Sequence, residues 1–360
     1  MPIRDKFQLL PYIEATVIVV FIALIVLYAR QGHKSSADQL SVTKVETLVK
    51  TADDTFVQKD LATAAVIYWQ IIREIEAAKG QSSTDNLDEI LLHAHLRVAE
   101  IYFHSHWVED ATKRLENAAQ IQPDHVKVRL LRGKLLRDED KVAAGRELLA
   151  VIKKDPTHAE AHYLLGVLYQ GTKQFKDAVR HFKQAIEHDA ELVKLPFEST
   201  PIGLQARLQL SRTYLSMLQT YRFVDRELTA EETKAIGKME EQVIEVLKEA
   251  VAADPEFAEA KEALINRLYT RARMFEREGE TRSYDKAIEV YKFIVELEPE
   301  ETDAWSMMGE RYLGFLDDPE AALEAYRKAY QLVPDPGLLA EIKNIEEILK
   351  NQRQENGTEE

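Results

Sequence analysis

The chain has 360 residues, a formal net charge of −15, no cysteine, and 45% apolar against 30% charged residues. That is enough apolar material for a sizeable core, while the acidic balance excludes a general nucleic-acid binder, which must neutralise phosphates. The lack of cysteine excludes disulfides, thiolate metal sites and a cysteine nucleophile, and only 13 glycines and 11 prolines suit long helices with short connections.

After a short N-terminal tail, residues 1–8, comes an apolar block. Residues 13–29 read IEATVIVVFIALIVLYA, and Leu9 and Leu10 extend the block past Pro11. Roughly 20 helical residues cross a hydrocarbon core of about 30 Å. Residues 9–30 are therefore expected to form a transmembrane helix, making this a single-pass protein of the plasma or bacterial inner membrane. A cleaved signal peptide is the competing reading, because Arg4 and Lys6 precede the block. Against it, Arg30, Gln31, Gly32, His33 and Lys34 follow where cleavage needs small residues. Flanking cations are almost balanced across the block; a short basic tail held in the cytoplasm would send the remainder to the exported side.

Residues 31–43 read as a polar linker, and beyond them a helix-pair pattern repeats. In residues 302–335, Trp305, Met308, Gly309 and Tyr312 are followed by Ala322, Tyr326, Ala329 and Pro334. In residues 159–190, Leu165, Gly166 and Tyr169 are followed by Ala178, Phe182 and Ala185. Weaker copies stay in phase: Val98, Ala99, Tyr102, Ala111, Leu115; Gly133, Leu136, Ala144, Leu148; Leu268, Ala287, Tyr291; and a degenerate first copy with Ala52, Ala64 and Tyr68. A small residue lets the first helix of a pair approach the second, and a terminal proline ends each unit because it cannot continue a helix.

These residues resemble the tetratricopeptide repeat, a helix–turn–helix unit of about 34 residues. The resemblance implies an all-α solenoid of about seven helix pairs with a C-terminal capping helix, after one transmembrane helix. The expected organisation is a first subarray at 44–190, a second at 191–335, a capping helix at 336–352 and a disordered tail at 353–360. Insertions fall near 191–202 and 220–238; within the latter, Thr229 and Glu232 form a capping-box pair expected to start a helix of its own.

Chemistry finds little support. His93 and His95, like His104 and His106, are two apart and point to different sides of a helix. His158 and His162 could share a face, but no third ligand is identifiable, so solvated or core-edge histidine is the expectation. There is no Gly-rich phosphate loop, GxSxG or HExxH. No cofactor, metal, catalytic residue or enzymatic activity is expected.

In tetratricopeptide arrays the first helix of each pair lines a concave groove. The resemblance places Leu96, Glu100 and Phe103 there, then Lys127, Leu130, Lys134 and Arg137, then Tyr163, Val167 and Gln170, with Asn266 and Tyr269 later. Residues 121–160 hold nine Lys or Arg against seven Asp or Glu; residues 301–360 hold six against fourteen. The first half thus suits an extended acidic or amphipathic peptide. The chain resembles N-terminally anchored bacterial tetratricopeptide proteins, which implies a membrane-tethered scaffold for assembling a membrane-associated complex. A chaperone-like or export-accessory protein that binds unfolded clients is the alternative. Partners are a protein or peptide in the groove and the membrane through the N-terminal helix, with no nucleic acid; the oligomeric state is left open.

Overall fold

A computed structural model describes residues 42–78, 85–189, 191–192, 200–222, 227–277 and 283–356. Among them are fifteen α-helices and no strand. The chain divides into two compact units, residues 1–206 and 207–360.

The first unit contains α1 (Val42–Val57), α2 (Leu61–Ala78), α3 (Asp85–His104), α4 (Val108–Ile121), α5 (Val126–Leu136), α6 (Lys141–Lys154), α7 (Ala159–Gly171), α8 (Phe175–His188) and the start of α9 (Ile202–Arg222). The second contains the rest of α9, then α10 (Ala230–Ala253), α11 (Ala258–Glu276), α12 (Tyr284–Leu297), α13 (Thr302–Phe315), α14 (Pro319–Leu332) and α15 (Pro336–Asn356). From α1 to α8, and again from α10 to α15, each helix packs on the next. Arg207 of α9 joins α10 through Glu249 at 3.6 Å.

Close approach within each pair rests on small residues. Ala64, Ala111, Ala144, Ala178, Ala287 and Ala322 of the second helices are fully buried. A Cβ built on Gly166 would fall 2.6 Å from the Phe182 ring, one on Gly309 2.8 Å from Tyr326, and one on Gly133 2.8 Å from Leu148. The large residues of the second helices therefore sit in notches on the first helices of their own pairs. Tyr326 also reaches across to Ile342 and Ile345 of α15, so it fills the layer towards the next element as well.

The prolines work through the residue before them. Gln122, Asp155, Asp254, Glu298 and Val333 precede prolines, and each is extended, with φ between −145° and −130° and ψ between 89° and 100°. Proline's ring excludes the helical conformation from its predecessor, so the helix stops there. The N–H groups of His125, His158, Phe257 and Glu301 then donate to the carbonyls of Gln122, Asp155, Asp254 and Glu298 at 3.1–3.2 Å. Each closes a four-residue turn with proline second, and the next helix starts immediately after it. Turns inside the pairs use a left-handed residue instead: Lys59, His106, Lys173 and Asp317, with φ of 63°, 62°, 59° and 52°.

Several expectations are revised by these helices. Thr229 and Glu232 do form a reciprocal capping box, but the helix it starts runs unbroken through Ala253 as α10, so the extra residues lengthen the second helix of the pair. α9 and α11 are likewise long, at 21 and 19 residues, against 14 for α12, α13 and α14. Ser283 caps α12 by accepting from the Lys286 N–H. α15 continues to Asn356, past the expected end of the capping helix. Most of the insertion near 191–202 lies outside the described residues.

The assignment as a single-pass membrane protein is corrected. The apolar block at 9–30 lies outside the described residues, and among the described residues no helix is long and apolar enough to cross a membrane. Their apolar residues form stripes interrupted by charge; even apolar α2 carries Arg73, Glu74 and Glu76 within its last two turns.

Candidate peptide-binding face

The expected binding residues sit on α3, α5, α7 and α11, with Arg137 as the C-cap of α5, spaced three or four apart so that each set shares a side of its helix. On α7, Ala161, Leu164, Leu165, Gly166 and Leu168 are buried, while Tyr163, Val167 and Gln170 stay half exposed. The helix thus buries one stripe in its pair and leaves a second stripe facing outward from that packing. Tyr163 packs on the cluster that contains Leu130 and lies 6.1 Å from the Phe182 ring. On α3, Phe103 is half buried against the cluster that contains Leu96.

Not every expected residue is available to a ligand. Leu96 and Leu130 are core residues, 6% and 9% exposed. Lys134 forms an ion pair with Glu160, both side chains largely covered, which ties α5 to α7 and neutralises part of the expected basic surface. Sequence spacing gave no sign of Glu160 as its partner, because the two meet only when successive pairs stack. Lys134 also approaches His104 of α3: burial first, then the Lys134 charge, pushes that imidazole down to about 4. α3, α5 and α7 therefore converge around Lys134. Lys127 is exposed, and half-exposed Arg137 pairs with its neighbour Asp138 at 3.2 Å.

Glu100 belongs to a polar network that spans two pairs. Its carboxylate accepts from Arg97 at 3.0 Å; Arg97 lies 3.7 Å from Asp53 and 4.4 Å from the centre of the Phe56 ring. Asp53 also accepts from Tyr68 at 2.5 Å and from His93 at 2.9 Å. Burial alone would raise the Asp53 carboxyl, but these hydrogen bonds and the charges of His93 and Arg97 hold it below the ordinary carboxylate value. In the second unit Asn266 is exposed, whereas the Tyr269 hydroxyl is taken up by Glu301 at 3.0 Å.

The histidines are more buried than expected. His95, His162 and His181 are 2%, 6% and 5% exposed. His162 Nε2 lies 3.0 Å from the Pro156 carbonyl, which can only accept, so the proton is on Nε2; His162 Nδ1 then accepts from His181 Nδ1 at 3.0 Å. His158, the N-cap of α7, accepts from the Ala161 N–H. Among the described residues no group of three or more His, Cys, Asp or Glu is placed to hold a metal ion.

Comparison with known proteins identifies one segment. Residues 159–192 match the tetratricopeptide repeat family. No curated protein matches the chain. Among solved structures, the C-terminal part of a TPR repeat-containing protein from Cytophaga hutchinsonii is similar at 13% identity and a TM-score of 0.49, over 82% of this chain and 99% of that one. PilF of Pseudomonas aeruginosa is similar at 13% identity and a TM-score of 0.42, over 72% and 98%. YrrB, described as a TPR protein with an unusual peptide-binding site, is similar at 17% identity and a TM-score of 0.36, over 64% and 97%. At these values the likenesses carry no functional argument. What is established is that α7, α8 and the residues just after them form a tetratricopeptide repeat, at 159–192, inside an array of helix pairs.

Proposed function

We propose that the chain is a non-catalytic scaffold that binds an extended segment of another protein along α3, α5 and α7. The observation that carries this reading is the outward stripe of α7, where Tyr163, Val167 and Gln170 stay half exposed within the matched repeat. Lys127 lies on the neighbouring first helix and Arg137 is its C-cap, so that helix adds cations to the aromatic anchor on α7. Interface energy concentrates in such Tyr and Arg anchors, at about 2 kcal/mol or more on truncation.

A photo-crosslinking amino acid at Val167 is expected to trap a partner, and Tyr163→Ala to abolish that adduct while helical content stays unchanged. The same probe at Glu347 of α15 is the control. Adducts at Glu347 that survive Tyr163→Ala, with none at Val167, would move the binding surface to the C-terminal helix and end this proposal.

A further inference from the structure

In the second unit α10, α11 and α12 together line a surface outside the expected groove. α10 and α11 run antiparallel, joined by the turn at Asp254–Phe257, so that Glu240 meets Arg267 at 3.4 Å. α12 runs back along α11, from the Ser283 N–H on the Phe275 carbonyl at 2.8 Å to Glu298 beside Lys261 at 3.5 Å. Along these helices run three adjoining hollows of about 280, 180 and 330 Å³. Glu240 and Arg267 form the wall between the first two; Ile244, Arg271 and Phe275 form the wall between the second and third.

The third hollow is cationic. Lys248, Arg271 and Lys286 line it against a single acid, Glu289. None of these three cations makes an ion pair among the described residues. They lie beside carbon instead: Lys248 is 4.9 Å from the Phe293 ring centre, and Arg271 and Lys286 are 5.9 Å and 5.8 Å from that of Phe275. Two like charges share one ring in a chain whose formal net charge is −15. Ile244 and Leu268 are buried at its floor, and Phe275, Val290 and Phe293 are half exposed. Phe275 is nine residues from Asn266, two and a half turns of helix, so this cleft lies on the side of α11 away from the expected groove.

We propose that this cleft is a second docking surface, and that it takes an acidic peptide segment in which carboxylates flank an apolar side chain. The carboxylates meet Lys248, Arg271 and Lys286, which gain a counter-charge that no ion pair among the described residues gives them. The apolar side chain covers Phe275 and Phe293. Aromatic residues and arginine are enriched in peptide-binding surfaces because they combine carbon area with fixed polarity. A free inorganic anion would leave the phenylalanines uncovered, and a nucleic acid would meet the long-range repulsion of the whole chain.

The test uses the full chain and a short fluorescent peptide of alternating glutamate and phenylalanine, followed by anisotropy. Lys248 and Lys286 are exposed, so the double variant Lys248→Glu/Lys286→Glu keeps the core intact, and circular dichroism checks that it does. The double variant is expected to raise Kd by about tenfold or more, as is replacing glutamate by glutamine in the peptide. Added salt is expected to weaken binding, and Tyr163→Ala to leave it unchanged. Unchanged affinity in the double variant overturns the proposal. So does loss of binding on Tyr163→Ala alone, which would assign the peptide to α7. Equal loss for a single-stranded oligonucleotide or for phosphatidylserine vesicles would make the cleft a general anion surface and overturn the peptide assignment.

Discussion

At the scale of single residues, one missing methyl group decides the packing of α7 on α8. The space that a Cβ at Gly166 would need is occupied by Phe182, a ring with no exposed surface of its own to retreat into. Gly166→Ala is expected to cost about 1–3 kcal/mol through overpacking. Gly145 of α6 has nothing within 4 Å of its absent Cβ, and Gly145→Ala is expected to stabilise by about 1 kcal/mol because alanine is the better helix former. Urea midpoints for the two variants check this, and equal midpoints would refute the close-contact account. The buried histidine pair gives a second expectation. Burial first, then the charges of His162 and Arg180 outweighing Asp177, pushes the His181 imidazole from 6.5 down to about 4. His162 is also lowered, mainly by burial and further by His188 and His158, although its bond to Pro156 and the charge of Asp155 oppose this. The folded state thus binds fewer protons than the unfolded chain between those values. The stabilisation is complete above pH 6.5 and is lost as pH falls towards 4, by at most about 1.4 kcal/mol per pH unit for each histidine. Denaturant midpoints at pH 7 and pH 5 measure it, and His181→Leu is expected to flatten the difference.

At the scale of elements, the two units use one device to tie successive pairs together. In the first, Asp53 of α1, Tyr68 of α2 and Arg97 of α3 meet; in the second, Glu276 of α11, Tyr291 of α12 and Arg311 of α13 do. Arg311 makes two hydrogen bonds to Glu276, at 2.9 and 3.0 Å, with both side chains about seven-eighths covered. Arg311→Ala would leave the Glu276 carboxylate without its cation, a loss expected at about 2–3 kcal/mol. Tyr291→Phe removes one neutral donor and is expected to cost about 1 kcal/mol. Thermal denaturation of the two variants ranks them, and a larger loss for Tyr291→Phe would reverse the argument. None of this was legible in the sequence, because the partners come from different helices and their charges look like ordinary solvated faces. The helix pairs themselves were legible. Alanine, glycine and tyrosine recur at fixed offsets, and each proline forces its predecessor into an extended conformation. The left-handed turns were hidden, since Lys59, His106, Lys173 and Asp317 stand where glycine would have advertised the bend.

At the scale of the whole molecule, composition misled in one respect and helped in another. A run of apolar residues gave a membrane assignment that no described helix sustains. The acidic balance argued against a polyanion-binding surface, yet charge counted along segments located neither the Lys134–Glu160 pairing nor the cations around Phe275 and Phe293. Both arise from stacking residues distant in sequence, and a linear count averages over them. The candidate groove was legible only as positions; which of them stay exposed depended on packing, and Leu96 and Leu130 went to the core.

α15 carries a consequence for how the array ends. It covers Ala322 and Tyr326 of α14 with Ile342, Ile345 and Leu349, while Glu341, Lys343, Glu346, Glu347 and Lys350 are exposed. A stack of helix pairs is in principle open-ended, because each added pair presents the same apolar side as the last. α15 presents charge where a further layer would need carbon. Deleting residues 336–360 is therefore expected to expose a surface that accepts a copy of itself, and light scattering should record concentration-dependent growth. A truncated chain that stayed monodisperse would mean that α14 already closes the stack. In polymer terms, α15 is expected to act as a chain terminator, covering the side of α14 on which a further layer would grow.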